Sequence, residues 1–246
     1  MYGVQMSDAR GAGSRPRGRP RSDQPALGQA DVVRAALRVI DTEGDRALSM
    51  RRVAAELGVY PTAVQHHVNT KEQLLVAVSD AVLDEMVMPS PDVDWVEWLE
   101  VFSAQLRAVL HAHPNVVPVM AARLRVATGA FTLSEQLLAA LAGAGFTGAA
   151  LRGAYNSVIG FVFGWIFTEL AAEPAADEDA WRQDLRSRLE RVDPAEAPTL
   201  AVHVDDLRNR AFMMRWMSGQ SNPLDDSFEF AVRVMVSGLQ AQLDRQ

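Results

Sequence analysis

A group of hydrogen-bonding side chains lies between residues 62 and 67 of this 246-residue chain, spaced to share one face of a short helix. The group consists of Thr62, Gln65, His66 and His67. The opposite face of the same helix would be apolar, with Ala63, Val64 and Val68. Hydroxyl, amide and imidazole groups can hydrogen-bond to base edges in the major groove of DNA, provided that a helix presents them there.

Two short helices joined at a glycine are predicted to position this face. Ser49 can cap the first helix, whose inward side chains would be Val53, Ala54 and Leu57. Gly58 follows and can supply the positive φ of a sharp turn. Pro61 falls in the first turn of the second helix, where a missing N–H costs nothing. This order predicts a helix-turn-helix whose second helix enters a DNA major groove.

Residues 48–71 resemble the helix-turn-helix of the TetR family of transcriptional regulators. The family pattern A-x-x-L-G-V is matched by Ala54, Leu57, Gly58 and Val59, and H-[FV]-x-x-K-x-x-L by His67, Val68, Lys71 and Leu74. Two positions depart from the pattern: Tyr60 replaces the usual small hydroxyl residue, and Gln65 replaces the usual aromatic residue. Both lie on the face expected to meet DNA, so the family's base contacts do not transfer unchanged.

The resemblance implies an all-α fold, with an N-terminal three-helix DNA-binding domain and a C-terminal helical ligand-binding and dimerisation domain. We expect a disordered basic arm at residues 1–27, the helix-turn-helix domain at 28–71 and the second domain at 72–246. The implied function is that of a homodimeric repressor, which a small, apolar ligand releases from a palindromic double-stranded operator. The implied location is the cytoplasm, without membrane or cofactor.

The resemblance also assigns roles to individual side chains of the DNA-binding domain. Arg51 stands where the family arginine reaches a guanine, a base that arginine binds bidentately. Thr62, Gln65 and His66 would be the other base readers. Phosphates would be held by Ser49, Tyr60, His67 and Lys71.

An arginine-rich segment, RPRGRPR, occupies residues 15–21 of the N-terminal arm. Its centre reproduces the core of an AT-hook, in which Arg17 and Arg19 would lie along a narrow A·T-rich minor groove. The alternative is a solvated basic tail that adds only salt-dependent attraction to phosphates. The sequence leaves both interpretations open.

The charge distribution agrees with a DNA-binding N-terminus on a body that does not bind DNA. The chain has a net charge of −7, but residues 1–71 carry a net +4 and the remainder a net −11. The chain has no cysteine, which excludes disulfides, zinc–thiolate sites and cysteine nucleophiles. No signal peptide is visible, and the longest apolar run, at residues 158–167, is shorter than the roughly 20 residues of a membrane span.

Enzymatic and metal chemistry find little support in the sequence. His111 and His113 have no third ligand at metal-site spacing, so we expect no metal. The segment GAGFTG at residues 143–148 matches G-x-G-x-x-G, but it follows a predicted helix and not a strand, which indicates a helix end rather than a dinucleotide site. No hydrolase, metalloprotease or phosphate-loop motif is present, and we therefore expect a non-enzyme.

The rest of the chain is helical by pattern. Asp94 can cap a helix at residues 95–111, and a glycine pair, Gly160 and Gly164, lies on the most apolar helix, at 149–170. Small residues at this spacing allow close approach of another helix. By the resemblance, this helix and a last one at 226–243 form a four-helix bundle with a second subunit. Other helices are predicted at 29–43, 71–88, 116–125, 131–142, 181–192 and 205–217.

The helical body also contains side chains that could line a ligand pocket. The candidates are Trp98, Phe102, His111, Met120, Tyr155 and Asn156, with Phe131 and Trp165 as further aromatic walls. His111 and Asn156 are favoured because they are polar groups in apolar surroundings. For each of them, an ordinary place in the core is the alternative.

Two other classes of protein remain to be distinguished from the repressor. The first is a helical small-molecule-binding or adaptor protein whose DNA-binding function has been lost, as Tyr60 and Gln65 would suggest. The second is an all-α enzyme, which no set of residues supports.

Overall fold

The computed structural model describes residues 27–123, 129–171, 178–215 and 224–245. Within these ranges every regular element is a helix, as predicted. The α-helices are α1 (Gln29–Glu43), α2 (Met50–Leu57), α3 (Pro61–Gln65), α4 (Lys71–Leu83), α5 (Trp95–Ala112), α6 (Val117–Arg123), α7 (Gly129–Gly143), α8 (Gly148–Glu169), α9 (Glu178–Glu190), α10 (Pro198–Leu207) and α11 (Asp225–Leu243).

Helices α1, α2 and α3 pack together as a unit that we call the head. Gly44 ends α1 with φ 81°, and Ser49 Oγ accepts a hydrogen bond of 3.1 Å from Arg52 N at the start of α2. Gly58 ends α2 in the left-handed region, with φ 66° and ψ 29°, which glycine adopts at no steric cost. Pro61 is the first residue of α3. The predicted helix-turn-helix is thus confirmed.

Helix α4 connects the head to the rest of the chain, because it packs against α1 on one side and against α5, α6 and α7 on the other. It ends at Leu83, so the predicted end at residue 88 was wrong. The backbone N–H groups of Asp84 and Glu85 donate to the carbonyls of Asp80 and Val82, which closes the helix in a turn. The apolar pattern continues beyond that turn to the buried Met86, and for this reason the helix was predicted too long.

The body is built on α5, α7, α8 and α11, which pack on one another. Asp94 caps α5 as predicted, its Oδ1 accepting from Val96 N at 2.7 Å. The centre of the body is apolar and fully buried, with Leu99, Phe102, Leu106, Leu110, Met120, Leu137, Val158 and Ile166. Burial of this set is the main stabilisation of the body.

The chain between α8 and α11 differs most from expectation. A helix was predicted at residues 205–217, but α10 spans Pro198–Leu207 and is followed by a short 3₁₀ turn at Phe212–Met214. Pro198 is the first residue of α10, a position where helices tolerate proline. The glycine-rich segment at 143–148 connects α7 to α8 as predicted, with no strand before it. Within the described residues, no helix combines the length and the apolar composition that a membrane span requires.

Candidate functional site

The outer surface of α3 carries the predicted base-reading side chains. Thr62 and Gln65 are exposed on α3, and Tyr60, 83% exposed, precedes its first turn without capping it through its side chain. The helix predicted to carry residues 62–67 was too long, because α3 ends at Gln65. His66 and His67 lie in the turn after α3, where their rings meet edge to face at 5.5 Å.

Two of the predicted phosphate-holding side chains also have structural partners within the head. Ser49 Oγ accepts the capping hydrogen bond of α2 and keeps its own O–H free to donate. Lys71 Nζ donates to the carbonyl of Asp45 at 3.2 Å, which holds the 3₁₀ turn at Asp45–Ala47 against the start of α4. Ser49 and Lys71 are both exposed, so their polar groups stay accessible to a phosphate.

Arg51 and Arg52 are neighbours on α2, but they differ in whether they form ion pairs within the head. Arg52 donates to Glu43 Oε1 at 2.8 Å through Nε and to Glu56 Oε2 at 3.1 Å, so its charge is used inside the head. The pKa of Arg52 is raised mainly by its hydrogen bond to Glu43. Arg51 is exposed and forms no ion pair with any described residue. Its guanidinium is therefore available to a ligand outside the chain.

Arg17 and Arg19 of the basic arm lie outside the described residues. Their interpretation as minor-groove side chains remains a prediction.

A cavity of about 610 Å³ opens between the connection that follows α4, the first turn of α5 and α7. Its volume falls within the usual range for small-molecule sites. Of the six predicted pocket residues, only Trp98 lines it. The wall is completed by Met88, Pro89, Pro91, Val93, Asp94, Trp95, Gln136, Ala139, Ala140, Gly143 and Ala144.

The other predicted pocket residues lie elsewhere. Phe102 and Met120 are fully buried in the core, and Tyr155 is held by a 2.7 Å hydrogen bond between its hydroxyl and Ser134 Oγ. Asn156 is exposed on the outer face of α8, so the expectation of apolar surroundings was wrong. Phe131 is likewise exposed, and is not an interior wall.

His111 belongs to a buried charge cluster that joins α5, α8 and α11. Arg107 donates to Glu169 through Nε at 2.9 Å and through a terminal nitrogen at 2.6 Å, and its other terminal nitrogen lies 2.6 Å from Asp225. His111 Nε2 lies 3.3 Å from the same Glu169 carboxylate. Burial raises the pKa of Glu169, but the contacts with Arg107 and His111 outweigh it and lower the pKa to about 2. No local pattern indicates this cluster, because Arg107 and Glu169 are far apart in the chain.

A second histidine joins the head to the body. His113, directly after α5, places Nδ1 2.9 Å from Asp41 Oδ2 on α1 and Nε2 3.1 Å from Glu85 Oε2 after α4. Asn115 Nδ2 adds a 2.9 Å hydrogen bond to the Asp41 carbonyl. Burial lowers the pKa of His113, but the hydrogen bonds and negative charges of Glu85 and Asp41 raise it above its ordinary value. Sequence reasoning missed this junction, whose three members come from separate elements.

The outer faces of α8 and α11 are left uncovered by the described chain. On α8 this face carries Gly160 and Gly164, and a Cβ atom placed on either glycine meets no described atom within 4 Å apart from its own stretch of helix. On α11 it carries Phe230 and Val234, which are 64% and 56% exposed. In the part of the chain that the structure describes, no three His, Asp or Glu side chains converge as metal ligands would.

Two family models match this sequence. Residues 32–78 match "Bacterial regulatory proteins, tetR family", and residues 88–243 match "Tetracyclin repressor-like, C-terminal domain". An HTH-type transcriptional regulator of Saccharopolyspora erythraea is 35% identical over 179 residues, covering 72% of this chain and 75% of that protein. The second model alone spans more than half of the chain, so the match is not confined to the head.

Solved structures agree with these sequence matches. ActR of Streptomyces coelicolor, solved in complex with (S)-DNPA, has a TM-score of 0.70 at 23% identity, covering 89% of this chain and all of that one, which supports the fold. BioQ, solved with its natural double-stranded DNA operator, has a TM-score of 0.54 at 30% identity, covering 67% of this chain and 96% of that one. The chain therefore belongs to the TetR family and is a DNA-binding transcriptional regulator.

Proposed function

We propose that this regulator is a homodimeric repressor that binds a palindromic operator and leaves it when a small molecule occupies the body. The observation that carries the proposal is the α2–Gly58–α3 unit, which presents exposed polar side chains beside an arginine without an internal ion pair among the described residues. Like other bacterial transcriptional regulators, the protein would act in the cytoplasm. This function would involve no catalysis.

On the DNA side, Arg51 would bind a guanine, and Thr62, Gln65 and His66 would read neighbouring base edges. Ser49, Tyr60, His67 and Lys71 would bind phosphates and fix the register of the head on the duplex. The exposed position of Thr62 and Gln65 supports their role as base readers. Binding to duplex DNA is supported by the similar protein BioQ, which was solved with its double-stranded DNA operator. Arg17 and Arg19 would extend the contact into the minor groove beside each half-site.

On the dimer side, the uncovered faces of α8 and α11 would pack against the same faces of a second copy. Gly160 and Gly164 leave room for a helix backbone at close range, and Phe230 and Val234 offer apolar area beside that groove. An isologous pairing of this kind would create the twofold axis that a palindromic operator needs. The two α3 helices would then enter successive major grooves about 34–36 Å apart.

Ligand control would act through α4 and the connection that follows it. Met88 and Pro89 of this connection line the cavity, and α4 packs on α1 of the head. A ligand that fits the cavity better in one position of the connection would favour one angle between the heads. Affinity for the operator would fall if that angle separates the α3 helices by a distance that the operator cannot match.

A footprint on the DNA upstream of the protein's own gene tests the proposal. We expect protection of an inverted repeat by a complex that contains two protein chains, with binding that weakens steeply as salt rises. An adaptor or ligand-binding protein without operator recognition would give no protected site at any salt concentration.

A further inference from the structure

We propose that the cavity beside α4 selects a flat organic cation. This inference deepens the proposed ligand control, on which it rests for its regulatory meaning, although binding itself can be measured without DNA. It starts from the charged residues of the cavity wall. Among the described residues that line the cavity, the single charged side chain is Asp94.

Asp94 has a carboxylate oxygen to spare. Its Oδ1 accepts from Val96 N as the cap of α5, while Oδ2 has no partner among the described residues. The side chain is exposed at the mouth of the cavity. Oδ2 would therefore be available to a cation in the cavity, while Oδ1 serves the positive N-terminal end of α5.

Aromatic side chains of the wall suit the same kind of ligand. Trp95 and Trp98 both line the cavity, and indole faces attract cations more strongly than other aromatic side chains do. The two rings are held in place: Trp98 stacks on Phe102 at 5.1 Å, and Trp95 meets the edge of Phe146 at 6.0 Å. A cation with a flat aromatic ring system could thus stack on the tryptophan rings and be attracted by the Asp94 charge at the same time.

A smaller cavity of about 140 Å³ extends the site towards α4 and shares Met88 and Gln136 with the larger one. Its charged wall residue is Asp84, at the C-terminal end of α4, where the helix dipole is also negative. The N-terminal end of α7, which would favour an anion, is already occupied, because Gly129 N donates to Asp80 Oδ1 at 2.7 Å. Each of the two cavities thus has one carboxylate among its described wall residues, Asp94 in the larger and Asp84 in the smaller.

The test compares two dyes with the same xanthene core and opposite charge, rhodamine 6G and fluorescein, by fluorescence anisotropy on the full-length protein without DNA. We expect rhodamine 6G to bind and fluorescein to bind at least about tenfold more weakly, because the local charge is negative. Equal affinity for the two dyes would overturn the inference.

Two carboxylate variants localise the effect. Asp94→Asn keeps a good helix cap and removes the charge, so rhodamine 6G affinity should fall by about tenfold without loss of helix. Asp92→Asn removes an exposed charge that does not line the cavity, and should leave affinity unchanged. If Asp94→Asn binds the dye as tightly as the unmodified protein does, the cation site is refuted.

Operator release separates this inference from the proposed function. If rhodamine 6G binds through Asp94 and also dissociates the operator complex, the cavity is the effector site. If the dye binds through Asp94 but the operator complex persists, the cation site stands and the proposed ligand control through this cavity fails. If a neutral or anionic compound fills the cavity and releases the operator while the cation does not bind, ligand control stands and the choice of cation is wrong.

Discussion

His113 Nδ1 lies 2.9 Å from Asp41 Oδ2, and this contact joins the end of α5 to α1 of the head. The other ring nitrogen faces Glu85, so one imidazole holds two carboxylates from different elements. A proton on His113 satisfies both carboxylates at once, and this is why its pKa is raised. The junction is a checkable link between the DNA-binding head and the body.

The first prediction concerns His113→Gln and pH. Because the folded-state pKa of His113 is raised, its contribution is fully present below the unfolded value of about 6.5 and is lost as pH rises through the folded value. The variant should therefore be less stable than the unmodified protein by about 1 kcal/mol at pH 6, with the difference shrinking at higher pH. Urea unfolding from pH 6 to 9 measures it. The control is His66→Gln, in the exposed turn after α3, which should leave the pH dependence of stability unchanged. If His113→Gln differs from the unmodified protein by the same unfolding free energy at every pH in this range, the role given to the His113 charge is wrong.

The second prediction separates two neighbouring arginines. Arg51→Ala should weaken operator binding by about 1–3 kcal/mol and relax preference for one base, with little change in thermal midpoint. Arg52→Ala should lower the thermal midpoint, because it removes the partner of Glu43 and Glu56 inside the head. Gel shifts on operator variants and thermal unfolding measure the two effects. Should Arg51→Ala bind every operator variant as the unmodified protein does, the register of the head on DNA assigned above is wrong.

The third prediction concerns the buried carboxylate of Glu169, which is 3% exposed. Glu169→Ala leaves the Arg107 guanidinium buried with a broken pair and should cost about 3–5 kcal/mol of unfolding free energy. Glu229→Ala, which removes an exposed pair with Arg233, should cost well under about 1 kcal/mol. Chemical denaturation at pH 7 compares them. Equal losses from the two variants would show that the buried cluster does not stabilise the body.

The fourth prediction concerns how the same cluster changes the stability of the protein at acid pH. The pKa of Glu169 is lowered to about 2 from an ordinary value of 4.5. A lowered pKa gives stability that is present above the unfolded value and lost as pH falls through the folded one. The difference between the unmodified protein and Glu169→Gln should therefore narrow as pH falls from about 4.5 towards 2. A difference that widens in this range would contradict the sign of the shift.

The fifth prediction tests the dimer face. Phe230→Asp introduces a charge at a position that is exposed in one chain, so the fold of the chain should persist. In a dimer that covers this face, the same charge would be buried without a partner and should weaken association by at least about tenfold. Val202→Asp on α10, at a similarly exposed apolar position, is the matched control. Sedimentation equilibrium measures both, and an unchanged dimer with Phe230→Asp would place the interface elsewhere.

Local signals made much of the fold predictable. Gly44 and Gly58 both adopt a positive φ, which marks helix ends that few other residues can form, and Ser49 and Asp94 cap the helices that they precede. These signals lie within a few residues of the structure that they cause. The helix predicted at residues 205–217 was misplaced, because Pro198, which begins α10, suits a turn as well as the first turn of a helix.

The site was predictable only in part, because its contacts join distant residues. No residue near His113 in the sequence indicates its contacts with Asp41 and Glu85. The same holds for Arg107 and its contact with Glu169. Asn156 was assigned to the interior because α8 is apolar on nearly every side. Periodicity does not distinguish a face that packs on the same chain from one that remains open to a second copy.

The central claim is that two heads, related by a twofold axis, read one inverted repeat. Selection of bound sequences from random duplex DNA, with the full chain and with residues 1–27 removed, tests it most directly. We expect both proteins to enrich an inverted repeat whose half-sites are centred about one helical turn, or 34–36 Å, apart, and the full chain to prefer A·T pairs beside each half-site. Enrichment of a single unrepeated site, or of no sequence at all, would contradict the account.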